Sequence, residues 1–412
     1  MYVAIMGYGV VGSGVAEVLA KNHHSITKKS MQSELELKYI LDIRDFPGDP
    51  NEKLMIKDFN IILNDDDVKV VVETMGGLHP AFEFVSACLK AGKSVVSSNK
   101  ELVAAKGDEL LKIAEEKNVN FLFEASVGGG IPIIRPLSQC LAANEIYEIY
   151  GILNGTTNFI LTKMINEGLD FATVLRMAQE NGYAEKDPTA DIEGHDACRK
   201  ICILASLIYG KHVYPDWVHT EGITKIDLAD VEYAKNWGGV IKLIACAKEV
   251  DGEKLYAVVS PALVANTSQL SSVDDVFNAI LVKGDATGDV VFYGRGAGKL
   301  PTASAIVADV IDCCRHTKEK KFFGWESCNE NFVIDYLDAE TSLYIRAKAE
   351  HPEDAVAEIQ KTFGNVTLLS RKDAPAGEIA FVTDTDTERA LRTKLDTLHI
   401  LEPLSVLRIA NC

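Results

Sequence analysis

The sequence has no excess of positive charge: 42 Lys and Arg stand against 60 Asp and Glu, a formal net charge of -18. A face basic enough to hold nucleic acid or an anionic membrane surface is therefore not expected. Long apolar runs are missing too, none approaching the roughly 20 residues that would span a bilayer. Cysteines number nine, but no CxxC pair occurs, and the spacing shows no disulfide framework of the kind that staples small secreted domains. Reduced thiols in a reducing cytoplasm are the expectation. No leader peptide is expected either, because MYVAIMGYGVVG runs straight into a strand and a glycine loop. What is present is a globular composition, 47% hydrophobic and 25% charged over 412 residues, long enough for two or three domains with cores of their own.

Residues Tyr2 to Met6 have the pattern of a short buried strand, and Gly7, Gly9 and Gly12 follow in GYGVVG before a helical run to about Ala20. This is a dinucleotide fingerprint in its proper setting, after a strand and at the opening of a helix. The first glycine allows a tight turn, the second lets backbone approach a pyrophosphate, and the third brings helix and strand close. The N–H groups of the helix start, at Val10 and Val11, would take the phosphates. A second strand, Glu36 to Leu41, ends at Asp42, with Arg44 two residues on. An acid there suits the ribose hydroxyls of NAD and an arginine the 2'-phosphate of NADP, so both cofactors stay open. Strands at Val68 to Glu73, Ser94 to Ser97 and Asn120 to Phe123 alternate with helices at Pro80 to Lys90 and Glu101 to Lys117. That alternation predicts an α/β Rossmann domain, a doubly wound parallel sheet, with ligands at the carboxyl ends of the strands. The segments expected there are ETMGG with Thr74 and Gly76, SSNK with Ser98 and Lys100, and EASVGGGIP. Each also reads as a plain turn, except that a lysine over the cofactor, Lys100, has few structural reasons to be there.

From about Glu145 the character changes. Ile146 to Leu153 reads as a strand ending in NGTTN, followed by two amphipathic helices. Val240 to Val250 and Leu255 to Leu263 flank Asp251-Gly252, a hairpin signal, and Phe277 to Lys283 with Asp289 to Tyr293 form another around GDATG. These predict an α+β domain whose antiparallel sheet would carry an oligomer interface. GRGAG, with Gly296 as a cofactor contact, feeds a helix from Pro301 to Cys314 that is expected to return to the dinucleotide domain. After a polar join near Lys318 to Lys321, the segment from about Thr341 reads strand, helix, strand, strand, helix, strand, the order of a small ferredoxin-like sandwich. The predicted domains are thus 1–135 with the returning helix at 299–316, then 136–298, then 335–412.

The stretch YAEKDPTADIEGHDACRK, Tyr183 to Lys200, places Glu185, Asp187, Asp191, Glu193 and Asp196 ahead of Arg199 and Lys200. Pro188 is expected to hold off helix formation, and from about Glu193 the spacing of Ala197, Ile201, Leu204, Ala205 and Ile208 is helical. Asp196 and Lys200 are then one turn apart on the same side. An acid N-terminal to a lysine at that spacing favours the charged ammonium, more so where water is scarce. Such a pair suits proton exchange with a carbonyl or alcohol oxygen. A solvated acidic loop followed by a surface ion pair fits the same spacing.

Taken together and in this order, GYGVVG, ETMGG, SSNKELVA, EASVGGGIP, NGTTN, GYAEKDPTADIEGHDACRK and GRGAGKLPTA resemble homoserine dehydrogenase over residues 1–320. The resemblance implies reversible hydride transfer between L-homoserine and L-aspartate 4-semialdehyde with NAD or NADP, within threonine and methionine biosynthesis. It implies a Rossmann domain joined to a substrate and dimerisation domain, and a homodimer or homotetramer. By position, Lys200 would exchange the proton with the substrate oxygen, Asp196 would hold either that lysine or the substrate ammonium, and Lys100 would be a second catalytic lysine beside the nicotinamide. Glu185 and Asp191 would hold the substrate's amino group, with Tyr183, Asn154, Gly155 and Thr156 completing the pocket. The backbone carbonyls of Glu124, Val127, Gly129 and Ile131 would surround a sodium ion. The segment 335–412 resembles an ACT domain, through which L-threonine inhibits some members. Its ligand loop, however, reads EHPED, with Glu353 where a glycine would admit a ligand carboxylate. An effector site and a module used only for assembly both stay open. From the residues alone, two other readings also stand: a dehydrogenase of another small amino acid, and an inactive dinucleotide sensor, which intact Lys100, Glu185, Asp196 and Lys200 disfavour.

Overall fold

The computed structural model describes residues 1–30, 34–317 and 321–412. Of the predicted polar join, residues 318–320 therefore lie outside the described residues. The chain divides into two compact units, one of Met1–Glu145, Cys202–Pro215 and Gly294–Glu330, the other of Ile146–Ile201, Asp216–Tyr293 and Asn331–Cys412.

The first unit opens with β1 (Tyr2–Met6), α1 (Val10–Lys21), α2 (His23–Lys29), β2 (Glu36–Leu41), β3 (Met55–Ile56) and α3 (Phe59–Leu63). It continues through β4 (Val68–Glu73), α4 (Ala81–Lys90), β5 (Ser94–Ser97), α5 (Lys100–Lys117) and β6 (Phe121–Leu122). The strands form one parallel sheet in the order β3-β2-β1-β4-β5-β6, the doubly wound arrangement predicted. Its central strands are apolar throughout, Val3 to Met6 and Val70 to Val72, because helices cover both faces. The segments α2, α3 and β3, two to seven residues long, are too short to show a period and do not appear in the sequence reading.

The second unit carries β7 (Ile146–Ile152), α6 (Gly155–Glu167), α7 (Phe171–Glu180), α8 (Thr189–Ile192) and the start of α9 (His195–Tyr209), whose residues from Cys202 on belong to the first unit. Then come β8 (His219–Thr220), α10 (Leu228–Trp237), β9 (Gly239–Val250), β10 (Lys254–Ala265), β11 (Phe277–Gly284) and β12 (Gly288–Arg295). The three-residue turn between β9 and β10, Asp251 to Glu253, holds Asp251 at φ 52 and Gly252 at φ 74, left-handed positions that Asp and Gly tolerate. Pro188 departs from expectation: the one-turn helix α8 starts directly behind it. Proline lacks an N–H that a helix start leaves unbonded anyway, so it opens α8 where it would break a helix interior.

Helix α11 (Lys299–Arg315) belongs to the first unit, where Ile306 and Val310 join Val15 and Leu19 of α1 in one core with Val3, Ile5, Val70 and Val96 of the sheet. The C-terminal elements are β13 (Glu340–Thr341), β14 (Leu343–Lys348), α12 (Pro352–Phe363), β15 (Val366–Leu369), β16 (Glu378–Thr383), β17 (Asp386–Thr387), α13 (Glu388–Thr397) and β18 (Glu402–Ala410). Strands β18-β14-β16-β15 lie antiparallel in that order. They do not form a sheet of their own. The outer edge of β18 pairs in parallel with β10, Ala262 opposite Arg408, so that one sheet runs β12-β11-β7-β9-β10-β18-β14-β16-β15. Two edges whose backbone groups would otherwise need water thereby satisfy each other.

Candidate active site

In the first unit the glycine loop closes on main chain. A Cβ on Gly12 would lie 2.0 Å from the Gly7 carbonyl oxygen, and Gly7 sits at φ +93 against Thr74 and Met75. Thr74 Oγ1 donates to the Gly7 carbonyl at 2.8 Å and ties the β4 end to the loop. Helix α1 has Gly9 as its N-cap, no side-chain cap and no acid in its first turn, where Val10 and Val11 stand. Such a helix start offers N–H groups and a positive dipole end to a phosphate.

Glu73, fully buried at the end of β4, accepts from the N–H of Met75 at 2.8 Å and of Gly76 at 3.3 Å, and from Ser97 Oγ at 2.6 Å. Burial pushes its pKa up, and these hydrogen bonds pull against that. Ser97 Oγ in turn accepts from Asn99 N–H at 3.0 Å, and Asn99 Nδ2 donates to the Gly77 carbonyl at 2.6 Å. The Asn99 side chain caps α5 through Leu102 N–H at 3.0 Å. Lys100, the first residue of α5, and Ser98 are thus carried on a segment braced from both strand ends.

At the end of β2 the two candidate cofactor selectors hold each other. Asp42 accepts from Arg44 Nε at 3.0 Å, from Arg44 Nη2 at 2.9 Å and from Tyr8 N–H at 2.7 Å. The Arg44 guanidinium keeps the carboxyl far below the usual carboxylate range. Asp42's side chain is 6% exposed and Arg44's 58%. Of the two candidate selectors, both left open by the sequence, the Asp42 side chain is thus mostly buried and the Arg44 guanidinium mostly exposed. Lys57 Nζ donates to the Arg44 carbonyl and pairs with Asp45 at 2.9 Å, adding a second cation that the sequence reading missed.

Glu124 is buried, and its side chain is spent on backbone: Oε1 accepts from Ile133 and Ile134 N–H at 2.7 and 2.8 Å, Oε2 from Arg135 N–H at 2.9 Å. This anchors the loop that contains Val127, Gly129 and Ile131. Gly129, at φ +56, and Gly296 approach so closely that a Cβ on Gly129 would sit 2.3 Å from the Gly296 carbonyl oxygen. Asp309 Oδ2 accepts from Glu124 N–H at 2.9 Å, and Asp309 Oδ1 pairs with Arg135 Nη2. Burial, reinforced by Glu124 and opposed by Arg135, pushes Asp309 up to about 7.

In the second unit, Lys200 Nζ donates to Asp196 Oδ2 at 2.8 Å and to the Leu153 carbonyl at 2.7 Å, with Lys200 7% and Asp196 3% exposed. The pair is therefore buried, not a surface pair on a solvated loop. Asn154 Nδ2 bridges Asp196 Oδ2 at 2.8 Å and Asp191 Oδ1 at 2.7 Å. Its Oδ1 caps α6 through Thr157 N–H at 2.8 Å, which fixes which end of the amide points at the acids. Gly155 opens α6, and Thr156 Oγ1 donates to the Tyr183 carbonyl at 2.8 Å. The Tyr183 ring is exposed and stands edge-on to Phe159 at 5.1 Å. Glu185 is exposed and outside this hydrogen-bonded group; Gln179 Nε2 donates to its carbonyl at 3.2 Å.

One unit carries a glycine-loop parallel sheet and the other a buried lysine and acid able to exchange a proton; a nicotinamide oxidoreductase requires both, and comparison with known proteins specifies which. Two family models match: "Homoserine dehydrogenase, NAD binding domain" over residues 7–124 and "Homoserine dehydrogenase" over residues 132–311. A curated homoserine dehydrogenase of Neisseria gonorrhoeae is 35% identical over 99% of this chain and 98% of its own length. The chain belongs to the homoserine dehydrogenase family.

The crystal structure of a homoserine dehydrogenase from Thiobacillus denitrificans superposes with a TM-score of 0.89 at 34% identity, covering 99% of this chain and 97% of that one. A hyperthermophilic archaeal homoserine dehydrogenase in complex with NADPH matches 76% of this chain and 97% of its own, with a TM-score of 0.63 at 28% identity. The enzyme is thus an oxidoreductase with an NAD(P)-binding domain, acting on a small-molecule substrate. Within the second unit its fold gathers Asn154, Asp191, Asp196 and Lys200 into one hydrogen-bonded group. The sequence reading missed the Leu153 carbonyl and the brace Glu73, Ser97 and Asn99. A carbonyl leaves no trace in residue type; an N-cap asparagine before α5 is a signal that was there to use.

Proposed function

We propose that Lys200 and Asp196 are the proton-transfer pair of this homoserine dehydrogenase. In the direction of L-aspartate 4-semialdehyde reduction, negative charge builds on the carbonyl oxygen and Lys200 Nζ gives it a proton; in L-homoserine oxidation the amine takes the proton back. Asp196 favours the ammonium form between turnovers and orients it. Lys100, at the first position of α5, is the second lysine, beside the nicotinamide, whose bound form supplies or accepts the hydride. Asp191 and Glu185 take the substrate ammonium, with Tyr183, Gly155 and Thr156 forming the pocket and Asn154 setting the spacing of the acids. The observation that carries this reading is the buried Lys200–Asp196 contact bridged through Asn154 to Asp191. The test is Lys200→Met. Turnover of L-homoserine should fall by about 10²–10⁴-fold, the share usual for a proton-transfer group, while cofactor affinity, followed by fluorescence titration, stays within about twofold. Turnover near wild type would refute it.

For the cofactor we favour NADP over NAD. What supports this is an outward guanidinium at Arg44 with Lys57 close behind, and an Asp42 carboxylate already occupied by Arg44 and Tyr8. The carbonyls of Glu124, Val127, Gly129 and Ile131 are hard oxygen donors of the type sodium takes, and we keep them as its site. The C-terminal strand order supports an ACT-like module. Helix α12 already has Glu353 and Asp354 in its first turn, where they complement its dipole and oppose a ligand carboxylate, which favours assembly over L-threonine binding. A homodimer or homotetramer in the cytoplasm, serving threonine and methionine biosynthesis, completes the reading.

A further inference from the structure

The turn Glu193–Gly194 links α8, which carries Asp191 in its last two residues, to α9, which carries Asp196 in its first turn. Besides its own bonds, Glu193 N–H to the Thr189 carbonyl and Gly194 N–H to the Asp191 carbonyl, both at 3.0 Å, it has an outside support. It rests on residues 220–224. A Cβ on Gly222 would lie 2.3 Å from the Ile192 carbonyl oxygen and 2.6 Å from Glu193 Cα, so no other residue brings main chain this close. Ile223 N–H donates to the Ile192 carbonyl at 2.8 Å, and Thr224 Oγ1 donates to Glu193 Oε1 at 3.2 Å. From the other side, Gly194 at φ +82 packs against Thr220 and the Glu221 carbonyl.

The Glu221 side chain is tied into the junction with the C-terminal segment. Its Oε1 accepts from Arg408 Nη2 at 2.9 Å and from His219 Nε2 at 2.7 Å. Arg408, on β18 and 5% exposed, is held by Glu388 through Nε at 2.7 Å and Nη2 at 2.8 Å. Glu388 is 1% exposed and also accepts from Arg392 Nε at 2.8 Å. The His219 ring stacks on Tyr336 at 3.5 Å, and the Arg408 guanidinium lies over the same ring at 5.1 Å. Glu221 N–H donates to the Val259 carbonyl at 2.8 Å, which seats the loop on β10. Every member of this chain of contacts lies in the second unit.

We infer that Glu221, clamped by Arg408 and His219, is a positioning residue for the dehydrogenase reaction, holding the 220–224 loop on which Ile192 to Gly194, and hence Asp191 and Asp196, are placed. It touches neither substrate nor cofactor. The inference rests on the reading of Asp191, Asp196 and Lys200 as the substrate and proton groups. It gives the C-terminal segment a part in catalysis without any effector, because Arg408 and Glu388 supply the clamp.

Contiguity alone does not establish coupling, so the test measures it. In Glu221→Gln, which keeps shape and removes charge, KM for L-homoserine should rise about tenfold, with KM for NADP within about twofold, since a small displacement of substrate-binding groups carries a cost of that order. Glu221→Asp should recover part of the loss. A merely structural role would instead lower the melting temperature and raise both KM values together, and that outcome, like unchanged kinetics in a folded variant, would overturn the inference. Should Glu221→Gln fail to fold, Thr224→Val removes only the hydroxyl contact to Glu193. It should raise the L-homoserine KM about threefold without changing the melting temperature. No rise there would equally overturn it. Failure of the underlying reading would show separately, as retained turnover in Lys200→Met.

Discussion

Asn154 concentrates three duties in one amide: it caps α6, and its two N–H groups separate Asp191 from Asp196. Asn154→Leu should cost about 1 kcal/mol for the cap and about 1–3 kcal/mol for the hydrogen bonds lost at Asp191 and at Asp196, which keeps Lys200. A loss of about 2–4 kcal/mol in urea unfolding is therefore expected, with kcat/KM down by more than about 10²-fold; a variant within about 0.5 kcal/mol of wild type would contradict it. At the cofactor end, Arg44→Ala should raise KM for NADPH about tenfold and for NADH less than about twofold. Equal rises would show that Arg44 does not read the 2'-phosphate. The spacing of Asp196 and Lys200 was legible in the sequence because a helix fixes it locally. The Asn154 bridge was not, since its partners lie 37 and 42 residues away. Nor was the inward turn of Asp42, which depends on which way Arg44 folds back.

Strands β1, β2 and β4, short runs bounded by turn residues, were readable to the residue, whereas α2, α3 and α10 were not anticipated. Helix α10 mixes polar and apolar positions, and its capping box of Asp227 and Asp230 is its clearest local mark. Between elements, the buried junction of Asp309 with Arg135 and Glu124 joins α11 to the loop after β6. Its pH dependence follows from Asp309 lying at about 7 in the folded chain against about 3.9 unfolded. A raised carboxyl binds its proton more tightly when folded. This contribution is therefore fully present below the unfolded value and is lost as pH rises through about 7. Wild type minus Asp309→Asn isolates it: the stability advantage of wild type should shrink between pH 5 and pH 8, within the range of about 4 to 7 and just beyond. A constant or growing difference would rule this out.

Across the whole molecule, the C-terminal segment is built into the sheet through β10 and β18. The element order of that segment was legible; its neighbour in the sheet was not, because strand pairing at long separation leaves no period in the sequence. A chain ending at Glu330 should lose more than a regulatory appendage. It would expose the edge of β10 and leave Glu221 without Arg408, so aggregation and a loss of activity of more than about tenfold are expected, measured by light scattering and turnover. A soluble, fully active truncation would show that the shared sheet is dispensable.

The glycine loop has a consequence for genetics. In a selection for restored enzyme, an allele such as Gly107→Ala crowds a side chain, the Trp325 ring at 3.0 Å, and a smaller residue at 325 can relieve it. Gly12→Ala crowds the Gly7 carbonyl oxygen, an atom that every codon encodes alike. Second-site suppressors should be recoverable for the first allele, and only true reversion to glycine for the second.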